Sequence, residues 1–359
     1  MNPMKIIVIE ALGLHLGYLG CYGNDWVATP NLDRLALEGV VFDWHFADQP
    51  ELQARTPWNE RSVGTGIYVV PGQNAPRPNT SARPNVVQID SLADFADRAM
   101  TALYPNGEWL WIEGPSLLPP WTLDDELLEA YFDEDDVEEG LRPWRNPPLD
   151  VVAPDDAQIL RLQNTYAGVV TFFDAQLGKL LDHVRDNEDL LICVTARSGL
   201  PLGEHGMIGA PRPALHDELV HVPLVMRLPR KEKAGLRIAA LTQPIDLLPT
   251  FLETLSQSIP PMHGNSLWPL IREEVEAARP FALSMMRIGE HESWLMRTPD
   301  HALHVANATA ADETPKFQLF MKPEDRWEVN DLHQQQIESA EEMEAELRRF
   351  VQSLSEPEA

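Results

Sequence analysis

With 359 residues the chain has room for one large α/β core, or such a core plus a small appendage, since single cores seldom grow past roughly 250–300 residues. Hydrophobic residues make up 44% and charged residues 23%, the composition of a folded chain and not of a disordered one. Lys and Arg total 28 against 56 Asp and Glu, a formal charge of −28; this field repels nucleic acid, anionic lipid and polyanionic glycans, so any anionic ligand needs a locally basic pocket.

The first nine residues of interest, Met4 to Leu12 (MKIIVIEAL), form a near-continuous apolar run of the kind found in strands buried on both faces of a parallel sheet. One Lys precedes this run and no small-residue cleavage site follows, so it reads as a core strand and not a signal peptide. No apolar run approaches the roughly 18–20 residues of a membrane helix. Cys21 and Cys193 are the only cysteines, and Cys193 sits in the apolar stretch DLLICVT, so no disulfide framework is implied. The expectation is a cytoplasmic protein without membrane contact.

TPNLDRLALEG predicts a short helix with Thr29 as N-cap, Pro30 at its first position and Gly39 as its stop. PGQNAPRPNTSARP (71–84) has turn composition and no apolar period, which predicts an exposed loop. DSLADFADRAMTAL (90–103) predicts a helix, and GEWLWIEG after it another core strand. The acidic run from Asp124 to Glu139 reads as a solvated helix face or loop. Ile159, Leu162, Tyr166, Val169, Phe173, Leu177, Leu180 and Val184 recur every three or four residues, so a long helix is expected from Asp155 to about Arg185. DLLICVTAR and HVPLVMRLP predict two further strands, and IDLLPTFLETL a helix after Pro244. After Pro280, strand-like SWLMRT, HALHVA and KFQLFM precede an amphipathic helix from Ser339 to Leu354. The alternation predicts a doubly wound, mostly parallel α/β sheet flanked by helices (1–279), followed by a small C-terminal α+β subdomain (280–359).

Several of these stretches resemble the sulfatases of the alkaline-phosphatase superfamily, in that family's order. LGYLGCYGNDWVATPNLDRLALEGVVFD is similar to the N-terminal block, in which a glycine-rich turn follows strand one. NTYAGVVTFFDAQLGKLLDHVRD, LLICVTARSGLPLGEHG, HDELVHVPLVMRLP, PIDLLPTFLETL, MHGNSLWPLI and RWEVNDLHQQQIE resemble later family segments. The resemblance implies an alkaline-phosphatase-like fold and, in its active members, one divalent cation held by carboxylates with an amide or imidazole.

At the family's metal places this sequence departs from the pattern. The acidic pair expected at the end of strand one is Glu10 and Ala11, and the Asp and His or Asn expected after CVTA are Arg197 and Ser198. A guanidinium cannot ligate a cation; Arg197 either replaces the metal's charge or points to solvent. The nucleophile, a Cys or Ser that sulfatases oxidise to formylglycine, falls in DQPELQART, where Leu52 takes its place. Arg55 corresponds to the family's motif arginine, Thr56 and Ser62 are nearby hydroxyls, and Ala210 stands about where the family has a Lys. His15, His205, Arg212 and His216 are the remaining candidates for a pocket. The candidate ligand-binding set is therefore Glu10, His15, Arg55, Arg197, His205, Arg212 and His216, with no catalytic residue, metal or cofactor. The expected function is a degenerate, non-catalytic sulfatase-family protein that binds an anion or a protein partner. A hydrolase of sulfuric or phosphoric esters with a rewired site is the alternative.

Overall fold

The computed structural model describes residues 5–50, 84–103, 107–133, 135, 140–150, 155–307 and 316–355. Two sequence expectations lie outside these residues: the nucleophile segment with Leu52, Arg55, Thr56 and Ser62, and the loop 71–83. The chain divides into two compact units, one comprising 1–43, 83–211 and 222–238, the other 44–82, 212–221 and 239–359.

Seven strands build the larger sheet: β1 (Ile6–Leu12), β2 (Val40–His45), β3 (Asn85–Gln88), β4 (Trp109–Ser116), β5 (Leu191–Ala196), β6 (Leu224–Arg227) and β7 (Leu236–Thr242), in the order β3-β4-β1-β5-β6-β2-β7. β3, β4, β1 and β5 run parallel, whereas β6 is antiparallel to both β5 and β2. Every residue of β1 and β5 is buried, which is why both read as unbroken apolar runs instead of alternating ones. A charged residue in such a strand must find partners inside the protein.

The helices of two turns or more are α1 (Pro30–Leu37), α2 (Phe95–Ala102), α3 (Asp156–His183), α4 (Leu247–Thr254) and α5 (Ile337–Ser355). Asp155 caps α3 by accepting from Gln158 N. α1 starts where Thr29 and Pro30 predict, but its cap comes from elsewhere. The Thr29 hydroxyl accepts from Gly20 N, and the Asp174 carboxylate of α3 takes the free N–H groups of Asn31 at 3.0 Å and Leu32 at 2.8 Å. Gly39 is not a left-handed stop: the helix ends on Glu38 in ordinary helical geometry, and a Cβ on Gly39 would lie 2.5 Å from Met226 O on β6. Glycine is required there by close backbone approach. α2 is shorter than the periodicity predicts, starting at Phe95, and the acidic run holds a helical turn at Asp125–Leu128.

In the second unit β8 (Ala282–Ile288), β9 (His291–Arg297), β10 (His301–Asn307) and β11 (Lys316–Met321) make an antiparallel meander. Ala340, Met343 and Leu347 of α5 pack on its Leu283, Met285, Trp294, Met296, Leu303 and Leu319. Sequence patterning finds β9, β10, β11 and α5 but omits β8. Among the described residues no helix is long and apolar enough to cross a membrane.

Candidate functional site

The parallel strands bring one polar row to a common level. Gln88 on β3 is in register with Glu113 on β4, Glu113 with Glu10 on β1, and Glu10 with Thr195 on β5. Register partners in a parallel sheet share a face, so a neutral amide, two carboxylates and a hydroxyl stand side by side near the strands' C-terminal ends, where open α/β sheets place their sites. Glu10 and Glu113 are each 2% exposed.

Arg197 leaves β5 one residue past its end, its N–H bonded to Ala11 O at 2.8 Å, and is 5% exposed. The solvent-pointing alternative for this side chain is thereby overturned. Arg197 Nη2 lies 3.4 Å from Glu10 Oε2 and 4.0 Å from Glu113 Oε2. Trp111 Nε1 donates to Glu10 Oε2 at 3.3 Å, and Gln88 Nε2 donates to Glu113 Oε2 at 3.0 Å. At an effective dielectric of about 20 the Arg197–Glu10 attraction is about 5 kcal/mol gross, against a desolvation cost of several kcal/mol per ion. The cluster is therefore a requirement of burying these charges, with a net gain in stability much smaller than the gross attraction.

Glu10 and Arg197 are two of the sequence candidates, and the fold joins them. Glu113 and Gln88 escape sequence reading because only the strand register connects positions 10, 88, 113 and 197. The signal that could have found Glu113 is a lone carboxylate ending the otherwise apolar strand WLWIEG.

His15 follows β1 in the same unit but meets a different partner. Gly17 N donates to His15 Nδ1 at 2.9 Å, which leaves the ring proton on Nε2, and Nε2 faces Glu204 Oε1 at 3.6 Å. Tyr166 of α3 ties the turn down, donating to Gly13 O and accepting from His15 N at 2.9 Å. Burial favours a protonated Glu204, but His15 and the Leu202 N–H outweigh it and hold the carboxyl below its ordinary range. With Nδ1 accepting from Gly17 N, the His15 ring braces the turn. His205 sits in the next turn with φ of 52°, a left-handed conformation, between Gly203 and Gly206.

The other candidates belong to the second unit. Arg212 is exposed. His216 Nδ1 lies 2.6 Å from Glu328 Oε2, His304 Nε2 lies 3.2 Å from Glu328 Oε1, and Lys322 Nζ bridges Glu328 Oε1 at 3.0 Å and Asp217 Oδ2 at 2.8 Å. Burial would raise the Glu328 carboxyl, but His304, His216 and Lys322 together hold it well below the usual carboxylate range. Three basic groups thus converge on one buried carboxylate. Sequence reading places His216 112 positions from Glu328 and misses Glu328, His304 and Lys322.

Comparison with known proteins gives the lineage. The profile "Sulfatase" matches residues 115–257, and "N-sulphoglucosamine sulphohydrolase, C-terminal" matches 203–355. The chain belongs to the sulfatase family of the alkaline phosphatase superfamily. This sulfatase-family chain is 30% identical over 113 residues to the N-acetylglucosamine-6-O-sulfatase of Bacteroides thetaiotaomicron, covering 30% of this chain and 20% of that protein. It is 50% identical over 49 residues to the steryl-sulfatase of Mus musculus, covering 14% and 8%. The aligned stretches thus span a quarter or less of the curated relatives it matches. Among solved structures, one in complex with its substrate D-glucosamine-2-N,6-O-disulfate matches with a TM-score of 0.75 at 16% identity, covering 98% of both chains. The phosphonate monoester hydrolase of Agrobacterium radiobacter matches with a TM-score of 0.68 at 16% identity, covering 99% of this chain and 95% of that one. At such identities the likeness establishes the fold, and function has to be argued from the site.

Proposed function

We propose that this sulfatase-family protein does not hydrolyse esters by the metal-dependent route and that its fold serves as a scaffold for a protein partner. The observation that carries the reading is the Arg197 guanidinium seated against Glu10 and Glu113. A guanidinium offers five donors and no lone pair, stays charged at every physiological pH, and repels a second cation at short range. The residues at this place therefore do not fit the divalent ion that the family implies. The segment DQPELQART supports the same reading, since it supplies neither Cys nor Ser where the family's nucleophile stands.

A small-anion site would need positive charge that the protein has not already compensated. Arg197 faces two carboxylates and His216 faces Glu328, so a protein partner is the better supported of the two binding readings. Trp26 and Trp327 are 47% and 62% exposed, and large aromatic side chains of this kind anchor interfaces. The strongly acidic surface favours a partner that presents a basic face.

The test is turnover of aryl sulfate, phosphate and phosphonate monoesters by the purified chain, with Mg²⁺, Ca²⁺ or Mn²⁺ added, beside Arg55→Ala and Arg197→Ala variants. The expected result is no turnover above the buffer rate. Multiple turnovers by the wild type that the arginine variants abolish would establish the rewired hydrolase instead.

A further inference from the structure

We infer that Arg197 is the permanent cation of the Glu10–Glu113 carboxylate pair, and that its guanidinium keeps divalent ions out of a place where oxygen ligands are still present. The inference deepens the reading of the site given above and rests on it.

Three features of the row lead to it. First, neighbouring strands stand about 4.8 Å apart, so register places Glu10 and Glu113 side by side in a region where each is 2% exposed. Two carboxylates side by side in a buried place call for a cation between them. Second, neutral donors are aimed at both carboxyl groups. Trp111 Nε1 serves Glu10 and Gln88 Nε2 serves Glu113, and each N–H stabilises a carboxylate charge more than a neutral acid. The donors thus face both carboxylates, and Arg197 is a cation within 4.0 Å of both. Third, Thr195 continues the row on β5, and its buried hydroxyl has no hydrogen-bond partner among the described residues. Glu10, Glu113 and Thr195 are hard oxygen donors of the kind that Ca²⁺, Mg²⁺ and Mn²⁺ take.

Removing the guanidinium while leaving room and an oxygen should therefore convert the row into a divalent-cation site. With Arg197→Asn, two carboxylates face the ion and the charge balances. With Arg197→Lys the internal cation is kept and no ion should enter.

The experiment is isothermal titration of full-length wild type, Arg197→Asn, Arg197→Lys and Glu10→Gln/Arg197→Asn with Mn²⁺ and, separately, Ca²⁺ near neutral pH, with circular dichroism to monitor folding. The expected result is one ion taken up by Arg197→Asn roughly tenfold or more tighter than by wild type or Arg197→Lys, and lost again in the double variant. A folded Arg197→Asn protein that binds no more tightly than wild type overturns the inference. So does binding that survives Glu10→Gln, which would place the ion elsewhere. Should Arg197→Asn unfold in EDTA, its refolding on addition of Mn²⁺ is the equivalent readout, and failure to refold overturns the inference. Ester turnover by the wild type would defeat the non-catalytic reading, whereas an Arg197→Asn chain without metal defeats this inference alone.

Discussion

At the level of single residues, the site is governed by what a buried charge requires. Glu10 sits in a strand buried along its whole length, so it needs partners inside the protein, and Arg197 and Trp111 are two of them. Its place at the strand end, and the oddity of Arg197 after CVTA, were legible in the sequence. That they meet was not, because a separation of 187 positions carries no spacing signal, and closure depends on β1 pairing with β5. His45 shows a different residue-scale effect. It is fully buried, bonded through Nδ1 to Thr242 Oγ1 at 2.9 Å, and burial, together with the nearby His221 and Arg279, pushes its pKa down from 6.5 to about 3. The unfolded chain therefore binds this proton first as pH falls below 6.5, and the folded state loses stability over the window from about 6.5 to about 3. The slope is at most about 1.4 kcal/mol per pH unit for one proton. Urea unfolding between pH 7 and 4 should show a shallower loss for His45→Gln than for wild type; equal slopes would contradict the assignment. The variant difference is the readout, because relief of the whole-chain negative charge acts in the opposite sense on acidification.

At the level of elements, packing overrides local preference at several glycines. Gly168 lies within α3, where Ala would ordinarily be favoured by about 1 kcal/mol. A Cβ there would fall well inside contact of the Leu127 carbonyl oxygen and 3.1 Å from Leu128 Cα, both backbone atoms with little freedom to give. Overpacking costs about 1–3 kcal/mol, so the steric term wins. Gly168→Ala is expected to lower stability by roughly 1–2 kcal/mol in chemical denaturation; a stabilised variant would mean that the 127–128 segment moves aside freely. The long helix, β1, β4 and β5 were legible because their apolar periods are long and unbroken. β8 was not, since ALSMMRI is rich in Met and lacks the β-branched alternation that marks a strand, and it is completed by pairing with β9. The N-cap of α1 was half legible: Thr29 is present, but the capping carboxylate comes from Asp174, 143 residues away.

At the level of the whole molecule, sequence order alone indicated the family fold that the strand order and the solved relatives bear out. What neither fold nor family dictates is chemistry, which here turns on whether the strand-end site holds a metal ion or its own arginine. Elemental analysis of the full-length wild-type protein, purified under mild conditions without chelator and compared with a metal-loaded sulfatase carried through the same steps, tests this most directly. The account predicts no stoichiometric calcium, magnesium or manganese, and no change in melting temperature on adding EDTA. A full equivalent of divalent metal, with destabilisation by EDTA, would contradict it.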